Sequence, residues 1–220
     1  MNFGCCKPIV WLGAAVLLPA CDGILEGIYD RPVAVDEYGF VSVDRESGSG
    51  RIRVDASSYT DWVYIDFHRL TVETSAIDKD DPTAGVPASW DIAVHRYDVK
   101  TNGGSALETE YSDFGALQAA GLPAEGYVAD EPLTQNRISY DMSHMMDGYL
   151  IYAVSDYNAE VSKWLDVDTS EMPPVYTLSH RVYVVRLADG THVALQLADF
   201  MDASGTKGVL TVDYRYPFES

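Results

Sequence analysis

From about residue 38 onward, apolar and polar side chains alternate in steps of two, the period of strands with one face buried. Trp62-Val63-Tyr64-Ile65-Asp66-Phe67-His68 is dense in aromatic and β-branched residues. The segments 90–99, 148–154, 180–187, 192–197 and 209–216 read the same way, and each is predicted as a strand. Ala188-Asp189-Gly190 joins two of them and carries a strong hairpin signal. One stretch departs toward a helix, 112–120, with Ser112 or Asp113 as its cap and Gly121 as its stop. Residues 78–89 hold two prolines and a cluster of charge and are expected to be a loop, and 141–146 and 156–179 are irregular. The chain shows no internal repeat, no low-complexity tract and no linker past residue 36. These patterns predict a mostly β protein with few short helices, one domain over 37–220, with Greek-key and meander wiring both open.

The beginning of the chain follows other rules. Ile9 to Leu18 is apolar and preceded by Lys7, but it falls well short of the about 20 residues that cross a bilayer. It fits the core of a secretory signal peptide. That run ends in Leu18-Pro19-Ala20-Cys21, which resembles a bacterial lipobox, with Cys21 as the residue to be lipidated after cleavage. The expectation is a signal peptide over 1–20, a lipidated acidic tether over 21–36 and the β domain beyond. Cys5, Cys6 and Cys21 are the three cysteines, so the mature chain would keep only the lipidated one and would fold without disulfides.

Charge narrows the partners. The chain has 15 basic and 34 acidic residues, a net charge of −19, which opposes nucleic acid and anionic lipid surfaces. Asp22, Glu26 and Asp30 follow the cysteine; an acidic stretch there is similar to a surface-export signal of Bacteroidota lipoproteins, and the expected location is the outer membrane, lipid-anchored and facing outward.

Catalytic motifs are missing: no GxSxG elbow, no HExxH, no glycine-rich phosphate loop. His68, His95, His180 and His192 fall in or beside predicted strands, where a histidine is ordinarily structural. Methionine is less evenly placed. Met201 falls in a loop before the last strand, whereas Met142, Met145, Met146 and Met172 lie in the two irregular segments. Two readings stand there: adaptable side chains that cap the core, or soft thioether donors suited to Cu(I) or haem iron.

Trp90 to Gly104 (WDIAVHRYDVKTNGG), together with Met172-Pro173-Pro174 and the run from Tyr183 through Asp189-Gly190 to Gly205–Pro217, resembles signature segments of the HmuY family. The resemblance implies a Bacteroidota lipoprotein that holds haem between two loops. It further implies delivery to a TonB-dependent outer-membrane receptor, with host haemoproteins as donors in some members. Axial ligands vary within that family, from histidines to methionines. No histidine stands beside Met172, so the resemblance points to Met172 and Met145 as axial ligands, with Met146, Met142 and His144 as alternates. The rival readings are a glycan-binding lipoprotein using Trp62, Trp90 and Trp164 as sugar platforms, and an adhesive surface subunit without haem.

Overall fold

Two antiparallel sheets enclose the main core, and the alternation of the sequence explains how they do so. The computed structural model describes Met1 and residues 37–133, 137–170 and 172–219. Its strands are β1 Gly39–Asp44, β2 Ser49–Asp55, β3 Asp61–Asp66, β4 Thr71–Ala76, β5 Ile92–His95, β6 Asp98–Thr101, β7 Ser105–Glu108, β8 Val128–Ala129 and β9 Glu131–Leu133. Then come β10 Ser139–Asp141, β11 Ile151–Tyr152, β12 Ser155–Tyr157, β13 Leu165–Asp168, β14 Val175–Leu178, β15 Tyr183–Arg186, β16 His192–Met201 and β17 Lys207–Arg215. The larger sheet runs β1-β2-β17-β16-β15-β7-β8, the smaller β4-β3-β5-β6, and β9–β12, β10–β11 and β13–β14 are two-stranded ribbons. Residues Glu37–Ser220 form one compact unit.

In β3 every side chain from Trp62 to Asp66 is buried. Successive residues point to opposite faces, so Val63 and Ile65, with Phe67 beyond the strand, enter the main core between the sheets. Trp62 and Tyr64 face the other way, into a second cluster with Ala93, Ile138 and Ala153, with Trp90 and Tyr140 packed around it. Across the main core stand Ile52, Val54, Tyr183, Val185, Leu195, Leu210 and Val212 of the larger sheet. The outer face of that sheet is covered by helix α1, Phe114–Ala120, through Leu117 against Val182, Val184, Ala194 and Phe218.

α1 starts at Asp113, whose side chain accepts from the Ala116 N–H at 2.8 Å, and stops at Gly121, as the capping residues predict. Two short 3₁₀ turns, Met145–Asp147 and Val161–Trp164, complete the helical content among the described residues. No helix there is long and apolar enough to cross a membrane.

Several boundaries differ from expectation. The predicted strand 90–99 is the hairpin β5–β6, because Arg96 takes a left-handed φ of 55°. Its guanidinium donates to the Ser57 and Lys207 carbonyls and lies 4.5 Å from the Tyr59 ring centroid. Of 148–154 only Ile151–Tyr152 is a strand. His180 precedes β15, turned out of the extended region at φ 54°. Met201 ends β16 and is not in a loop. The irregular stretch 156–179 contains the β13–β14 hairpin, in which Val167, Tyr176 and Leu178 pack on the main core beside buried Leu165.

Candidate functional site

The stretch between β10 and β11 is built from short polar residues and one glycine. The Asp141 carboxylate accepts the Ser143 N–H at 2.8 Å, an Asx-type turn. The Met145 N–H donates to the Met142 carbonyl at 3.0 Å, and Gly148, at φ 87° and ψ 14°, closes the 3₁₀ turn by donating to the Met145 carbonyl at 3.2 Å. The result presents Met145 and Met146 to solvent, 53% and 90% exposed, while Met142 and His144 are half-buried. His144 stacks on Tyr149, centroids 4.7 Å apart and planes 12° from parallel. Its Nδ1 lies 3.1 Å from an Asp147 carboxylate oxygen. Met145, Gly148, Tyr149, Leu150 and Tyr152 line an open cleft of about 500 Å³.

Met172 lies in the turn between β13 and β14 and is 84% exposed. Near the tip of its hairpin Tyr176 stacks on Phe200 at 5.2 Å and carries Lys207 Nζ 4.0 Å from its ring centroid. Met172 does not line the Met145 cleft. The structure thus brings Met142, His144, Met145 and Met146 into one loop and sets Met172 in another.

Apolar exposure concentrates in these segments. Among the described residues beyond 36, the exposed large hydrophobic side chains are Met145, Met146 and Tyr149 in the first loop, Met172 and Val175 at the second hairpin, and Tyr38, Val43, Val128 and Val154 elsewhere. Thioethers left in water contribute little to folding, since they gain no burial energy. As donors they are neutral and soft, which suits an iron porphyrin: a flat apolar body with a metal at its centre.

The second core cluster packs against the β10–β11 ribbon, and its rings surround a buried cation. Lys100 is only 4% exposed, with Nζ 4.3 Å from the Trp62 centroid, 5.3 Å from Tyr64 and 5.5 Å from Trp90. Burial pulls its pKa down to about 8 despite Asp156 and Asp130 nearby, and pushes the Tyr64 phenol up to about 12. Trp62, Tyr64 and Trp90 pack around Ile138 and Ala153, which bracket the ribbon β10–β11. Sequence reasoning passed over Lys100 because nothing along the chain marks a lysine as internal.

Of the histidines away from the loop, His95 lies in β5 and His192 opens β16, while His68 and His180 fall outside the strands predicted for them. His95 is fully buried, its Nε2 bonded to the Tyr59 carbonyl at 3.0 Å. His68 bridges Asp91 at 3.2 Å and Asp189 at 2.9 Å. Asp66, His68 and Asp91 come close enough to share a cation. Their oxygens are already engaged, however, by Ser89, the Arg69 and Phe67 N–H groups and His68 itself. The tryptophans offer poor sugar platforms: Trp62 and Trp164 are 3% and 0% exposed, and Trp90 packs beside Tyr64. Cys21 lies outside the described residues.

Comparison with known proteins identifies the family and the fold. The family model described as HmuY protein matches residues 58–214. A Bacteroides fragilis structure assigned as a lipoprotein is 50% identical over 86% of this chain and all of its own, with a TM-score of 0.80. A Bacteroides vulgatus structure, assigned as an HmuY-like haem-binding protein, is also 50% identical, over 84% of this chain and all of its own, with a TM-score of 0.77. The apo HmuY analog of Tannerella forsythia shares the fold, with 24% identity over 76% of this chain and 94% of its own and a TM-score of 0.65. No curated protein sequence matches the chain.

Proposed function

The chain belongs to the HmuY family, and from that premise we propose that it is a haem-capturing surface lipoprotein that binds and releases its cargo without chemistry. Met145 and Met172 are the axial donors in this reading, with Met146, Met142 and His144 as alternates. The observation that carries it is the exposure of Met145 at 53%, beside exposed Tyr149, in one loop and of Met172 at 84% in the other. A porphyrin lying against the Met145 cleft would cover Tyr149 and Tyr152 and bring its iron to sulfur.

Two neutral sulfurs add no charge to offset Fe(III) and favour the softer Fe(II). Haem should therefore bind more tightly under reducing conditions. Cys21 would carry the lipid that holds the domain at the outer membrane, and a TonB-dependent receptor would take the haem onward, with host haemoproteins as donors. Capture and release need only the loops to close and open on the ligand.

The test is titration of the purified protein with haemin, with and without dithionite, followed by the Soret band. Wild type should give a sharpened low-spin spectrum in the reduced state, and Met145→Ala or Met172→Ala should each weaken ferrous binding by about tenfold or more. A spectrum and affinity untouched by both substitutions in both redox states would sink the assignment of ligands.

A further inference from the structure

His68 stands between the two sheets, and both nitrogens of its ring meet carboxylates. It follows β3 of the smaller sheet, and its Nδ1 lies 3.2 Å from Oδ2 of Asp91, which precedes β5 in that sheet. Its Nε2 lies 2.9 Å from Oδ2 of Asp189, in the turn that joins β15 to β16 of the larger sheet. Asp189 accepts the Thr191 hydroxyl at 2.7 Å and the Thr191 N–H at 2.9 Å on its other oxygen. Those bonds, with the contact to His68, hold its pKa down at about 2. Asp91 accepts the Phe67 N–H at 2.7 Å on the same oxygen that faces His68. An ionised carboxylate offers lone pairs and no proton, whereas a neutral imidazole has one N–H and one lone pair. A neutral ring therefore satisfies one side only.

We infer that His68 is an imidazolium at neutral pH and acts as a clamp between the two sheets that alkaline pH releases. The other groups facing the ring favour its charge. Asp66 ends β3 beside it, with a carboxylate oxygen within 4.8 Å of the facing atoms of His68 and Asp91, and Arg69 pairs with Asp66 at 3.8 Å. Tyr216, just past β17, meets the ring edge-on at 5.1 Å, its phenol kept neutral by burial. Asp44, Arg45, Glu46, Arg215 and Glu219 share a cleft of about 670 Å³ with His68, three acids against two bases. With the ring neutral, Asp66, Asp91 and Asp189 would crowd together with Arg69 paired to one of them. Burial alone would lower the His68 pKa, but the bonds to Asp189 and Asp91 outweigh it, and the pKa is raised above 6.5. A proton held more tightly by the fold than by the unfolded chain stabilises the fold. That contribution is complete below pH 6.5 and is lost as pH rises through the folded pKa. The His68 side chain is 43% exposed, so water and salt screen the clamp and keep its effect modest. On release, the Asp189 turn and the loop after β3 lose their charged link, and that end of the two sheets is freer to part.

The experiment follows the ring nitrogens of the full-length chain, labelled with nitrogen-15 in its histidines, by NMR from about pH 5 to about pH 10. The resonances missing from His68→Gln identify the ring. Both nitrogens should carry protons at neutral pH, the midpoint should lie above the roughly 6.5 of a free histidine, and Asp189→Asn should lower it. Unfolding in urea should favour wild type over His68→Gln by about two- to fivefold in the equilibrium constant near about pH 6. That advantage should vanish near about pH 9 and shrink in about 1 M salt. One bare ring nitrogen at neutral pH, or a midpoint at or below that of a free histidine, overturns the inference. So does an advantage over His68→Gln that is constant across pH, the mark of the Tyr216 contact alone. Should His68→Gln fail to fold, the ring whose midpoint moves in Asp189→Asn identifies His68, and the absence of any moving ring overturns the inference as well.

Discussion

His95 shows what one buried residue does to the pH response of the whole protein. Its ring is fully buried, one nitrogen bonded to the Tyr59 carbonyl and the other without a partner among the described residues. Desolvation pulls its pKa from 6.5 down to about 4. The unfolded chain therefore takes up a proton in this interval that the folded chain refuses, and stability rises with pH across it. The contribution is complete above pH 6.5 and is lost as pH falls toward 4, up to about 3 kcal/mol in all. Urea midpoints of wild type and His95→Gln should diverge in slope between pH 6.5 and 4, with only the wild type carrying this loss; parallel curves would refute it. Asp98, raised to about 6 by burial, works in the opposite sense but is present in both proteins. That His95 is structural was legible in the sequence, since strand alternation assigns it a place in a sheet. The burial of Lys100 was not, because its rings come from Trp62 and Tyr64 on β3 and Trp90 before β5, which only the pairing of the sheet brings around it.

Elements were legible where local chemistry and packing agree. The helix 114–120 declared itself through Asp113 and Gly121, and the β15–β16 hairpin through Asp189-Gly190, where the Asp189 carboxylate accepts the Thr191 N–H at 2.9 Å. The β5–β6 hairpin stayed hidden because its turn holds no glycine or asparagine; contacts to Ser57, Tyr59 and Lys207 impose the left-handed Arg96. β13–β14 was missed for a different reason. Its inward positions, Leu165, Val167, Tyr176 and Leu178, are split by a polar tip that carries Met172, and the short alternating runs on either side escaped notice. In the other loop Gly148 is the residue that sets the shape. No atom lies within 4 Å of where its Cβ would stand, so a substitution there meets backbone strain and no clash. Gly148→Ala should cost about 1 kcal/mol, and Gly148→Asn, which tolerates the left-handed region, distinctly less. Equal midpoints for both variants and the wild type in chemical denaturation would show that the turn is not held in this conformation.

At the scale of the molecule, the two methionine-bearing loops stood out in the sequence by a family resemblance and an oddity of methionine placement, while the layering beneath them was not legible. The continuous apolar run Trp62-Val63-Tyr64-Ile65 fits a strand buried on both faces, but it does not say which elements cover each face. Here β3 contributes Val63 and Ile65 to the main core and Trp62 and Tyr64 to the floor of the Met145 ribbon. This sharing has a consequence for how the protein breathes. Amide protons of a strand locked between two cores can reach solvent only when the whole domain opens, whereas those of an exposed 3₁₀ turn are released by local fluctuation. Hydrogen–deuterium exchange should find peptides over 62–66 among the slowest of the chain and those over 142–149 among the fastest. Comparable rates in both would contradict the picture. If it holds, the loop is free to close over a cargo many times for each occasion on which its foundation comes apart, and opening to release that cargo need not endanger the fold.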